Sequence, residues 1–139
     1  MRILFFLLIA PFFANAQNSS ENKTIENPKL LGTTELVTET PKDKARKLTE
    51  SYRQRVINGE TMSSIATLYS EDPGSEKNGG RYDSIPRGMM VPEFESVAFN
   101  LKPGEISNVF ETKYGFHFIE LIDRKGDLLN LRHLLVIPK

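Results

Sequence analysis

Tyr69-Ser70-Glu71-Asp72-Pro73-Gly74-Ser75, Asn78-Gly79-Gly80 and Arg87-Gly88-Met89-Met90-Val91-Pro92-Glu93-Phe94-Glu95 follow one another through the middle of the chain, and their reading decides the fold. The first two belong to a loop, Ser70 to Gly80, dense in turn formers: Asp72-Pro73-Gly74 and Asn78-Gly79-Gly80. Proline pre-sets one backbone angle there, glycine reaches positive φ, and Asp and Asn side chains cap their own turns. In the third, Val91-Pro92 opens a helix, because proline suits the first helical position. Phe94, Val97, Ala98 and Leu101 then face one way until Pro103-Gly104 breaks the run. Met90 and Phe94 stand four apart at the mouth of that helix and share a face.

Upstream, Thr40-Pro41 starts another helix, with Thr40 as cap. Ala45, Leu48, Tyr52 and Val56 recur at helical spacing until Asn58-Gly59 ends it. A shorter helix carries Met62, Ile65, Ala66 and Tyr69. Before them all, Leu30 to Thr38 is rich in Leu, Thr and Val and predicts a first strand. Downstream, Ile106 to Thr112 and Phe116 to Asp123 predict two strands joined through Lys113, Tyr114 and Gly115, and Leu131 to Ile137 is a third apolar run. Strand, three helices, then paired strands predict a small α+β domain with helices packed on an antiparallel sheet.

The termini and totals narrow the class. Arg2, the apolar run Ile3 to Phe13 and Ala14-Asn15-Ala16 read as an export signal at 1–16, cleaved near Ala16. That run is too short for a permanent membrane span, so no stable anchor is expected and the mature product is periplasmic or secreted. Residues 17–29 are a polar leader. The 139-residue chain has 18 basic and 18 acidic residues; with Arg2 removed, 17 basic ones remain. Such balance excludes nucleic acid as the main partner. Two histidines and no cysteine exclude a disulfide framework and make no case for a zinc site.

The three quoted segments, together with Gly104-Glu105-Ile106-Ser107 running into Tyr114-Gly115-Phe116-His117-Phe118-Ile119, resemble in order and spacing the parvulin-type (PpiC, rotamase) peptidyl-prolyl cis-trans isomerases. The resemblance covers 30–124 and is similar to the parvulin domains of envelope chaperones. It implies a parvulin-like small antiparallel sheet with three to four helices around it. The implied reaction twists an X–Pro amide over a barrier of ~18–20 kcal/mol. No bond is made or broken, so the reaction calls for no nucleophile, metal or cofactor. The site must hold the proline ring, exclude water and favour the twisted amide over the planar one.

By the resemblance, Met90 and Phe94 line the proline pocket, with Phe118 or Ile119 behind them and Tyr82 where an aliphatic residue is usual. From spacing alone Met90 and Phe94 are equally ordinary core residues. His117 stands at the second histidine of the family's pair. Asp72 stands where relatives carry cysteine or aspartate, and it is also a good turn residue in its own right. Thr34 falls at the first histidine of the pair, where it cannot reproduce a titratable imidazole, which implies weakened catalysis. Asp83 falls where a glycine at positive φ is usual. No arginine cluster lies between the first strand and first helix, so no phosphorylated substrate is expected.

Residues 125–139 form a tail in which Leu131-Arg132-His133-Leu134-Leu135-Val136 resembles the opening strand of a second parvulin domain. Two readings stay open. It is a stub left from a tandem ancestor, or it pairs with a sheet, in the same molecule or another through 131–137, and brings His133 near His117. Three functions remain: an isomerase acting on proline-containing segments of exported proteins, a non-catalytic parvulin-fold chaperone, and an interaction module.

Overall fold

The computed structural model describes residues 38–139. The expected signal, leader and first strand, with Thr34, lie outside the described residues apart from Thr38.

Helix α1 (Pro41–Ile57) begins where the sequence predicts. Thr40 Oγ1 accepts from the Asp43 N–H at 3.1 Å, while the Asp43 carboxylate accepts from the Thr40 N–H at 3.1 Å. This reciprocal box satisfies two amide donors that the first turn leaves free. The buried face is Ala45, Thr49 and Val56, with Thr49 donating to the Ala45 carbonyl at 2.7 Å. Leu48, expected to face the core, is 43% exposed instead. Helix α2 (Met62–Tyr69) is capped by Thr61 and buries Met62, Ile65 and Ala66. A single 3-10 turn (Glu76–Asn78) lies in the loop that follows. Helix α3 (Pro92–Asn100) buries Phe94, Ala98 and Phe99, whereas Val97 and Leu101 are only partly covered.

Strands β1 (Arg81–Ile85), β2 (Phe110–Thr112), β3 (Gly115–Lys125) and β4 (Leu128–Val136) form one antiparallel sheet in the order β1-β4-β3-β2. β1 was not foreseen, for a physical reason. Arg81-Tyr82-Asp83-Ser84-Ile85 has no alternation, and the ladder bulges between Tyr82 and Ile85 with Ser84 at φ 55°. The positive φ expected at Asp83 therefore falls one residue later. The strand expected from Ile106 is shortened to β2, leaving Ile106 as an isolated bridge to Glu120.

The C-terminal apolar run is one of the two inner strands. β4 pairs with β3 from Phe116↔Val136 to Lys125↔Leu128 and with β1 on its other edge. Both of its edges are paired over Leu129 to Arg132, and Leu129, Leu131, Leu134, Leu135 and Val136 are buried within the chain, whereas Leu128 is exposed. Residues 128–136 thus share one sheet with the region expected to close at 124.

Side-chain alternation splits the core into two layers. Phe116, Phe118, Leu134 and Val136 pack with Ala45, Val56, Met62 and Ile65 from α1 and α2. Ile119, Leu121, Leu129 and Leu131 pack with Phe94, Ala98 and Phe99 from α3. No helix among the described residues is long and apolar enough to cross a membrane.

Candidate active site

His117 and His133 sit on the α3 side of the sheet. Leu135 opposes His117 and Ile119 opposes His133, which makes the two histidines diagonal neighbours on one face. Their rings stack with centroids 5.7 Å apart and 19° between planes. A row of rings crosses all four strands: Phe110 of β2 stacks on His117 at 5.4 Å, and Tyr82 of β1 lies tilted 5.5 Å from His133. Phe94 stands edge-on over both imidazoles, at 5.9 and 5.3 Å. One ring from each strand and one from α3 build an aromatic wall.

Asp72 is held against this wall by the 70–80 loop, which is tied to β4. Glu71 N–H donates to the Leu135 carbonyl at 2.8 Å, and His133 N–H donates to the Gly80 carbonyl at 2.9 Å. Two glycines permit this approach. A Cβ on Gly80 would lie 2.1 Å from the His133 carbonyl oxygen, and one on Gly74 would lie 2.2 Å from the Tyr82 hydroxyl. Asp72 Oδ2 then accepts from Ser75 Oγ at 2.5 Å, Tyr82 Oη at 3.0 Å and His133 Nε2 at 2.9 Å.

The hydrogen bond from His133 holds the Asp72 carboxyl well below the usual carboxylate range; burial opposes it, and Ser75 and Tyr82 reinforce it. Burial raises the Tyr82 phenol, with Asp72 as a further cause. Burial likewise lowers His117 to about 4, with His133 adding to the shift. Thr112 Oγ1 lies 2.8 Å from His117 Nε2. Nδ1 of each histidine is buried without a hydrogen-bond partner among the described residues.

A groove of about 370 Å³ opens in front of the wall, lined by Tyr82, Met90, Phe94, His117, His133 and Leu135 among others. Met90 is positioned by Glu95, whose Oε1 accepts from the Met90 N–H at 3.3 Å and also from the Gly88 N–H. Glu95 is thus a positioning residue for the pocket lip. Glu95→Ala is expected to raise KM for an X–Pro peptide severalfold with kcat little changed, and Glu95→Gln, which keeps an acceptor, to rescue most of the loss. Steady-state isomerisation rates check this.

The site therefore gathers His117, Asp72, Tyr82, Met90 and Phe94 from the expected set. Phe118 does not join them. It points to the α1 and α2 layer and is fully buried there, because neighbours on a strand face opposite sides. Once His117 is placed in the site, that parity rules Phe118 out, while Ile119 lies on the α3 side. Sequence reasoning missed Ser75, Thr112 and Glu95 as positioning groups, and it left His133 as one of two alternatives.

Acid should weaken the fold. The unfolded chain binds a proton on His117 near its ordinary 6.5 and the folded chain only near about 4. The stability linked to this neutral imidazole is complete above 6.5 and is lost as pH falls toward 4, by up to about 1.4 kcal/mol per pH unit. Asp72 acts in the same direction at lower pH, because its depressed carboxyl contributes stability only above its unfolded range. Urea midpoints should fall between pH 7 and 4, and fall less steeply in His117→Gln.

An antiparallel sheet with helices on both faces, two stacked imidazoles, one partly buried carboxylate and an aromatic groove is the arrangement that the parvulin resemblance implies. Residues 29–123 match the Rotamase family model, the PPIC-type PPIASE domain, and the chain belongs to that family. It is 46% identical over 74 residues to Foldase protein PrsA of Caldanaerobacter subterraneus subsp. tengcongensis, covering 53% of this chain and 24% of that protein. Chaperone SurA of Nitrosococcus oceani is 37% identical over 75 residues, covering 54% and 18%. A crystal structure of peptidylprolyl isomerase (PrsA) from Bacillus cereus superposes with TM-score 0.56 at 37% identity, covering 58% of this chain and 31% of that one. The chain thus spans less than a third of the length of these relatives. The family match ends at 123, so the strand that carries His133 lies beyond it.

Proposed function

We propose that this domain catalyses cis–trans isomerisation of X–Pro bonds in unfolded exported polypeptides. The observation that carries the reading is the groove in which Met90 and Phe94 face the stacked His117 and His133 beside Asp72. Met90, Phe94 and Tyr82 would take the proline ring in an apolar slot. The planar amide has the larger charge separation, so an apolar, water-poor slot disfavours it more than the twisted form. The wall and the Asp72 network hold the slot rigid, so little reorganisation is needed at the top of the barrier.

The expectation of weakened catalysis rests on Thr34 at the family's first histidine; His133, stacked on His117, supports full activity instead. Export rests on the reading of residues 1–16, and foldase service on the names of the relatives. The test is refolding of a denatured protein limited by a non-native prolyl bond. The reading requires the slow phase to accelerate in proportion to added domain. Binding of the unfolded client with an unchanged slow phase would make this a non-catalytic chaperone module.

A further inference from the structure

A second groove, of about 480 Å³, lies between α1, the C-terminal end of α2 and the exit of β4. Leu48, Tyr52, Leu68, Tyr69, Val136 and Ile137 are among its lining residues. Tyr52 and Tyr69 stack at 4.5 Å and form a flat aromatic floor. Glu71 and Ile137 line both this groove and the proline groove, so the two meet across the end of β4. Glu71 is fixed at the junction, accepting from the Ile137 N–H at 2.6 Å and from Lys139 Nζ.

The exposed apolar side chains follow the same path. Among the described residues seven large hydrophobic side chains are exposed: Leu48, Ile57, Leu68, Met89, Tyr114, Leu128 and Ile137. All but Ile57 and Leu128 border one or both grooves. Apolar side chains gathered along one continuous path, not scattered singly, mark a binding surface.

We infer that the second groove is a subsite for the same client, taking an aliphatic or aromatic side chain of an extended polypeptide whose proline sits in the first. This rests on the isomerase reading for the proline half only. An extended chain is the matching occupant because it advances ~3.3–3.6 Å per residue and so crosses from one groove to the next. The domain would then select prolines that have an apolar neighbour a few residues away, and only in unfolded chains.

The test uses the full chain and two labelled peptides, an Ala-Pro tetrapeptide and a longer proline peptide flanked by Leu and Phe. Leu68 is 67% exposed, so Leu68→Lys leaves the fold intact. Anisotropy should show about tenfold weaker binding of the long peptide to Leu68→Lys, with binding and exchange of the tetrapeptide unchanged. Leu48→Lys should act alike. An unchanged affinity for the long peptide in both variants overturns the subsite while leaving the isomerase reading intact. Wild-type binding that Leu68→Lys weakens, with no exchange of either peptide, supports the subsite and overturns the isomerase reading. Tighter peptide binding in a Leu36→Asp, Val37→Asp variant would assign the groove to the chain's own upstream segment and overturn the inference. A dimer that Leu68→Lys dissociates would overturn it in favour of a second copy.

Discussion

A chain ending at Arg124 is expected to lose cooperative folding, because it lacks one of the two inner strands of its sheet. β4 contributes Leu129, Leu131 and Leu134, all fully buried, and it pairs with strands on both edges. Its removal would expose both core layers at once and leave β1 unpaired. Point changes give the graded form of this prediction. Leu131 packs in the α3 layer and Leu134 in the α1 and α2 layer. Truncating each to Ala costs about 2–5 kcal/mol, and the pair together rivals a whole-domain stability of about 5–15 kcal/mol. Leu128→Ala, at a half-exposed position, should stay within about 1 kcal/mol. Urea unfolding followed by circular dichroism checks each of these variants. A cooperative transition in the shortened chain would restore 30–124 as the folding unit.

The second large effect is expected at His133. His133→Ala removes the first of three donors to Asp72 and half of the imidazole stack, leaving a largely buried carboxylate short of a partner. The kcat/KM for a short X–Pro peptide should fall about 10- to 100-fold, equivalent to about 1.4–2.8 kcal/mol of transition-state stabilisation. Tyr82→Phe, which removes one neutral donor, should cost about 1 kcal/mol. Thr34→His should change nothing, since the sheet position beside His117 is already filled by His133. If Thr34→His raised activity and His133→Ala left it intact, the pairing of His117 with His133 would have no catalytic meaning.

The helices were legible in the sequence because their signals are local. Thr40-Pro41, Asn58-Gly59 and Val91-Pro92 sit at helix boundaries, where capping and proline chemistry leave a mark within four residues. β1 was not legible, because a bulged strand with Ser84 at positive φ has neither alternation nor β-rich composition. The site shows the same division. Met90, Phe94, His117 and Asp72 stand at motif spacings, so a linear reading finds them. His133 lies 61 residues from Asp72 in the chain and meets it only through the antiparallel pairing of β4. Sequence order suggested a tail beyond the domain; strand order in the sheet makes that tail one of its two inner strands. Leu48 erred for a simpler reason: helical spacing defines a face but not its width, and Thr49 took the buried position.

The groove is expected to lower the barrier to prolyl rotation. This is tested most directly by exchange spectroscopy of cis and trans Ala-Pro and Leu-Pro peptides, with wild type and Met90→Ala side by side. Met90 is only partly buried, so its truncation should leave the fold intact and remove one wall of the proline slot. Accelerated exchange in wild type, reduced tenfold or more in a folded Met90→Ala, is the predicted result. Exchange no faster than in buffer, or equally fast in both proteins, would contradict the account.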